Sequence, residues 1–180
     1  IITGAYNNCA NLKTITFGAG TVQLTSIDNY AFHQSGLTSF AVPASVNAIG
    51  DNAFYECASL ATFTFEENSQ LATLGANVLK GSIISSIAIP SGVPSIGDYA
   101  FFQCTNLASV TFQSNSELVS IGENSFSHSG ITSFVVPDKV TSIGANAFAV
   151  TSSLSAFSAG CSSAVTLETN CFYNSAISSI

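Results

Sequence analysis

The stretch Ile49-Gly50-Asp51-Asn52-Ala53-Phe54 (IGDNAF) returns 47 residues later as Ile96 to Phe101 (IGDYAF), then as Ile121 to Phe126 (IGENSF) and Ile143 to Phe148 (IGANAF). Looser copies begin at Ile27 (IDNYAF), Leu74 (LGANVL) and Leu167 (LETNCF). In chain order, the seven first residues stand 22, 25, 22, 25, 22 and 24 apart. Two repeat lengths alternate, and the unit is a pair of about 47 residues. Ile1 fits as a degenerate earlier copy, with Tyr6, Cys9 and Leu12 matching Phe54, Cys57 and Leu60. Residues 1–180 thus read as one array of about seven repeats. With no Met anywhere, the chain is expected to be cut from a longer protein.

Between hexamers runs a second pattern: an apolar residue, two small residues, then an apolar-x-apolar triplet. It reads LKTITF from Leu12, LTSFAV from Leu37, LATFTF from Leu60 and ISSIAI from Ile84. It continues as LASVTF from Leu107, ITSFVV from Ile131, LSAFSA from Leu154 and ISSI from Ile177. Alternating β-branched and aromatic residues of this kind predict a short strand with one buried face. Strands recurring every 22 to 25 residues in one direction are parallel, because the intervening chain is long enough to travel round and return. The chain therefore reads as a mainly β solenoid whose core exists only through stacking. Its inner row is Phe32, Phe54, Leu79, Phe101, Phe126, Phe148 and Phe172. Gly50, Gly75, Gly97, Gly122 and Gly144 mark a bend needing either unusual backbone angles or close backbone approach. Pro43, Pro90 and Pro137 each follow a strand, where a missing N–H does least harm.

These motifs resemble the BspA-like leucine-rich repeat family, whose strand motif is L-x-x-L-x-L, and the resemblance covers essentially the whole chain. It implies a right-handed solenoid with a parallel sheet of about eight short strands on the concave face. Turns or short helical segments would form the other side. It also implies a protein at the cell surface or secreted, adhering to proteins of host or neighbouring cells or of the extracellular matrix. A membrane would be reached only through a segment outside this stretch. Asp28 and Glu168 depart from the hexamer glycine, and Leu79 from its Phe.

Composition narrows the chemistry. Hydrophobic residues make up 47% of the chain and charged ones 7%, against about 25% charged in an ordinary domain. Ten carboxylates against three lysines give a net charge of −7, which opposes nucleic acid and anionic lipid. No apolar run approaches the roughly 18 residues of a membrane span. His33 and His128 lie four coils apart and read as solvent-facing loop residues rather than a catalytic base. No G-x-S-x-G, H-E-x-x-H or phosphate loop is present, so neither catalysis nor a cofactor is expected.

Cys9, Cys57 and Cys104 share one repeat position two coils apart, roughly 9.5 Å at about 4.8 Å per strand, beyond disulfide reach. They are expected to be buried and unpaired, with Ser35, Ser82 and Ser129 at the same spot in alternate coils. For Cys161 and Cys171 the free-thiol reading stands beside a Cys161–Cys171 bridge. The carboxylates Asp51, Asp98, Glu123, Glu66, Glu67 and Glu117 are too scattered for calcium and read as a solvated edge.

The binding candidates are the residues of each strand that point outward. They are Thr14 and Thr16, Ser39 and Ala41, Thr62 and Thr64, Ser86 and Ala88, Ser109 and Thr111, Ser133 and Val135, Ala156 and Ser158. Two rows of small, uncharged side chains about 4.8 Å apart along the axis would result. Such a surface suits a protein-interaction or adhesion module. The alternatives are an ice-binding face, hinted at by Thr14/Thr16 and Thr62/Thr64, and a purely structural scaffold.

Overall fold

The computed structural model describes residues 1–17, 24–159 and 164–178. Its strands, in chain order, are β1 (Ser26–Ile27), β2 (Ser39–Val42), β3 (Ala48–Ile49), β4 (Thr62–Phe65), β5 (Thr73–Leu74), β6 (Ser86–Ile89) and β7 (Ser95–Ile96). They continue as β8 (Ser109–Phe112), β9 (Ser120–Ile121), β10 (Ser133–Val136), β11 (Ser142–Ile143), β12 (Ala156–Ala159) and β13 (Thr166–Leu167). Each even-numbered strand is an apolar-x-apolar triplet with the residue before it. Each odd-numbered strand ends on the first residue of a hexamer. All pairings are parallel. The molecule is a parallel β-solenoid.

One expectation needs correction. Instead of about eight short strands on one face, the described residues form six four-residue strands there, because Leu12–Phe17 carries no strand and the copy at Ile177 forms none within its described part. Beside Leu12–Phe17 the Thr38 N–H donates to the Lys13 carbonyl at 3.0 Å without extending into a ladder. Of the two alternatives for the other side, it is turns that form it, and the described residues hold no helix. Each hexamer instead turns through a left-handed residue at its fourth position and another four residues on, such as Asn52 (φ 58°) and Glu56 (φ 52°). A helix cannot propagate through such residues.

Between them, alternate N–H groups donate to the next coil. Asn52 donates to Ala76, Phe54 to Val78 and Glu56 to Lys80, at 2.8, 2.9 and 2.8 Å. The same triplet of bonds joins the coils of Tyr30, Asn77, Tyr99, Asn124 and Asn146 to their successors. This turn wall is therefore tied coil to coil along its length.

The hexamer glycines are explained by close approach. None of the five has a positive φ, yet a Cβ on Gly75 would lie 2.6 Å from the Asp51 nitrogen of the coil before. Pro43, Pro90 and Pro137 each accept a turn hydrogen bond from the N–H three residues on, at 3.0, 3.3 and 3.1 Å.

The buried side chains form one cluster running from Ile27 to Cys171. Its spine is the hexamer aromatics: Phe32 stacks on Phe54 with centroids 5.0 Å apart, Phe101 on Phe126 at 5.2 Å and Phe126 on Phe148 at 5.3 Å. Strand phenylalanines meet this spine edge-on, as Phe40 meets Phe54 at 4.8 Å and Phe134 meets Phe148 at 4.8 Å. Stacked and edge-to-face rings at these separations satisfy the ring quadrupole as well as burying area. Phe172, in the last coil, is only half-buried although it stacks on Phe148 at 5.6 Å.

The strand walls are interrupted. The long strands pair only as β2 with β4, β6 with β8, and β10 with β12. The short ones pair as β1-β3-β5 and as β7-β9-β11-β13. Between the coil of β4 and β5 and the coil of β6 and β7, both ladders are open. At β7 the cause is Pro94. In the equivalent places of other short repeats, the Asn47 N–H donates to Thr25 at 2.9 Å and the Thr141 N–H to Val119 at 2.9 Å. Proline has no N–H to give.

Candidate functional site

Strand geometry decides which side chains reach solvent. Successive residues point to opposite faces, and β2, β4, β6, β8 and β10 alternate exposed with buried or half-buried positions, as β12 does up to Ser158. Ser39 and Ala41, Thr62 and Thr64, Ser86 and Ala88, Ser109 and Thr111, Ser133 and Val135, and Ala156 are all exposed, as is Ser158. Within each pair they sit side by side in register: Ser39 beside Thr62, Ala41 beside Thr64, Ser86 beside Ser109, Ala88 beside Thr111, Ser133 beside Ala156, Val135 beside Ser158. Thr14 and Thr16 are exposed too, but lie outside any strand.

The outward face carries no ionisable side chain. Its residues offer hydroxyls, methyl groups and, at Val135, an apolar side chain 65% exposed. It is not one continuous sheet, however. At the open seam between β4 and β6 lies a groove of about 220 Å³ lined by Phe63, Thr64, Phe65, Ser86, Ile87, Ala88 and Gln113. The repeat arithmetic held a hint of this. Strand motifs starting 23 residues apart (Leu37 to Leu60, Ile84 to Leu107, Ile131 to Leu154) are laddered, while those 24 apart (Leu60 to Ile84, Leu107 to Ile131) are not.

The remaining polar groups serve the stack. Asp51 Oδ1 accepts from the Ala76 N–H at 2.8 Å, and Asp98 Oδ1 from the Glu123 N–H at 2.8 Å, so these turn carboxylates tie one coil to the next. Glu66 accepts from the Ala44 N–H at 3.0 Å, and Glu117 pairs with Lys139 at 2.6 Å on an exposed edge. No group of three or more metal-ligating side chains occurs among the described residues.

Cys57 and Cys104 are buried free thiols. The Cys57 thiol donates to the Phe32 carbonyl at 3.0 Å with Ser35 Oγ 3.3 Å away. Cys104 donates to the Leu79 carbonyl at 3.2 Å beside Ser82 at 3.4 Å. The Cys–Ser row thus caps carbonyls inside the solenoid. Burial pushes the Cys57 thiol up and holds those of Cys104 and Cys171 at about 11, so none is a ready nucleophile. Cys9 differs from expectation in being only half-buried. Cys171 is free, and Cys161 lies outside the described residues.

Sequence reading missed the role of the histidines. His33 is half-buried, its ring stacked on Tyr55 at 5.0 Å, while exposed His128 meets Phe102 at 5.4 Å. They belong to a line of aromatic residues on the turn wall. The column following each hexamer could have disclosed it: His33, Tyr55, Lys80 and Phe102 in successive coils.

A family model described as BspA type leucine rich repeat region matches residues 1–82 and 72–180 in six copies. No curated protein matches the chain significantly. Among solved structures, the pneumococcal vaccine antigen PcpA is similar with a TM-score of 0.66 and 26% identity, over 70% of this chain and 31% of that one. A leucine rich cell surface protein of Faecalibacterium prausnitzii is similar with a TM-score of 0.54 and 28% identity, over 81% of this chain and 45% of that one. The chain thus spans less than half the length of either structure.

Proposed function

Because this chain belongs to the BspA type leucine-rich repeat family, we propose that it is a non-enzymatic protein-interaction module at the cell surface. Its outward strand face docks proteins of host or neighbouring cells or of the extracellular matrix. The observation that carries this reading is the uncharged outer face of β2 to β12, where exposed Ser, Thr, Ala and Val sit in register. The vaccine-antigen and cell-surface descriptions of two similar structures support the location.

Small hydroxyl side chains offer many weak hydrogen bonds at low entropy cost. The face lacks the Trp, Tyr and Arg that dominate tight interfaces. Affinity would therefore come from many weak contacts along an array. An ice-binding face would need regular Thr-x-Thr rows, and among the described strands only Thr62 and Thr64 on β4 form such a pair.

The test is cell or matrix binding by a variant carrying Ser86→Arg and Ser133→Arg, against Glu67→Arg in an exposed turn, which shifts the net charge equally. Loss with the first and retention with the second supports the reading. The reverse places docking on the loops and overturns it.

A further inference from the structure

A second surface, independent of the strand face, lies on the turn wall. In four successive coils the residue after the hexamer, His33, Tyr55, Lys80 and Phe102, is half-buried, and these four form a column. His33 stacks on Tyr55 with centroids 5.0 Å apart and planes 6° apart, and Tyr30 flanks His33 at 5.6 Å. In the next coil Lys80 stands where the column would hold a ring. Its ammonium lies 5.1 Å from the Tyr55 centroid, 5.6 Å from that of Tyr99 and 5.0 Å from that of Phe102. Tyr99 and Phe102 are themselves 5.5 Å apart. A cation within about 6 Å of a ring face is attracted by the ring quadrupole. One ammonium therefore already sits among three rings.

The carboxylates of this wall add to that preference. Glu56 follows Tyr55 and accepts from Gln34 Nε2 at 2.8 Å. That hydrogen bond, outweighing partial desolvation, holds its carboxyl below the usual range, so it is anionic at neutral pH. Glu123 accepts from the Tyr99 hydroxyl at 3.4 Å, and Asp51 and Asp98 are exposed on the same turns. Of the three lysines in the chain, Lys13 reaches to the Ala10 carbonyl and Lys139 to Glu117. Only Lys80 answers these rings, and the carboxylates of this wall outnumber its lysine. The uncharged strand face offers nothing of this kind.

We infer that the Tyr30, His33, Tyr55, Tyr99 and Phe102 wall is a docking surface for a basic, Lys- and Arg-rich segment of a partner protein. Lys80 is an internal occupant of the kind of site the partner's cations would use. Charge complementarity selects the occupant. Ring faces hold ammonium and guanidinium groups, flanking carboxylates pair with them, and the net charge of −7 draws basic chains in. A neutral sugar would use the rings but leave the charge of the carboxylates unanswered.

The experiment titrates labelled octa-arginine, and an uncharged peptide of the same length, into the 180-residue chain at moderate salt. Lys80→Ala vacates the three rings and should tighten octa-arginine binding about threefold more than Lys13→Ala, which removes the same charge elsewhere. Tyr55→Leu with Tyr99→Leu keeps the apolar bulk, removes the ring faces and should weaken binding by about threefold or more with the melting temperature retained. Equal effects of the two lysine variants, or wild-type binding by the leucine variant, would show that only net charge is sensed and overturn the proposal. Ring-dependent binding of a neutral oligosaccharide with no ring dependence for octa-arginine would overturn it as well.

Discussion

Gly97 leaves no room for a side chain over Gly75: a Cβ there would come within 2.7 Å of that residue's carbonyl carbon and oxygen. Both partners are backbone and cannot swing aside. Gly97→Ala is expected to cost about 1–3 kcal/mol by forcing the coils apart, as other overpacked sites do. Gly81→Ala is the informative contrast. It has φ of +75° but no neighbour nearer than 3.5 Å, so only left-handed strain of about 1–2 kcal/mol opposes it. Chemical denaturation of both variants checks this. A neutral Gly97→Ala would show that the glycine column is not set by coil contact.

Phe101→Ala should cost about 3–5 kcal/mol, because Phe101 is fully buried and stacks on Phe126 at 5.2 Å. Tyr6 stacks on Phe32 at the same 5.2 Å but is 37% exposed, so Tyr6→Ala should cost far less. Thermal melts giving equal losses at the two sites would contradict a core made by stacking.

Val150 holds φ of 56° where the matching residue two coils earlier is Gln103 and in the next coil is Asn174. A β-branched residue is strained there. Val150→Asn keeps the N–H that donates to Tyr173 at 2.7 Å and should stabilise by about 1 kcal/mol. A lowered melting temperature would refute this.

The Cys104 thiol, held at about 11 by burial, makes a pH prediction. A raised folded value means that its contribution to stability is complete below the ordinary thiol range of about 8.5 and is lost as pH climbs toward 11. Cys104→Ser, matching Ser82 in the coil before, should reduce that alkaline loss. In thiol labelling at neutral pH, half-buried Cys9 should react before Cys57 and Cys104, which should react only on unfolding. Early labelling of Cys104 would contradict its burial.

The solenoid itself was legible because its signals are local and repeated. Alternating Ile, Phe and Thr name a strand wherever they occur, and the hexamer named the opposite wall through its Phe. What escaped depends on neighbours in space. The meaning of Pro94 comes from a carbonyl one coil away that receives no N–H, not from any pattern around it. The ring-and-lysine column combines single residues contributed by successive coils, each unremarkable within its own repeat. For the glycines, a one-dimensional reading could name both causes of their presence, but only the coil spacing separates close approach from backbone freedom.

The coil boundary beside Pro94 also has a mechanical meaning. There both strand walls lack ladder bonds, and Leu79 stands between Phe54 and Phe101 where the other interior coils place a ring. The turn wall runs on unbroken through the N–H groups of Asn77, Leu79 and Gly81, with Lys80 and its three rings spanning the joint outside. A stack joined firmly along one edge and loosely along the other two behaves as a leaf hinge. Load applied along the array would open the strand side first, widening the groove at Thr64 and Ser86 while the turn side acts as the pin.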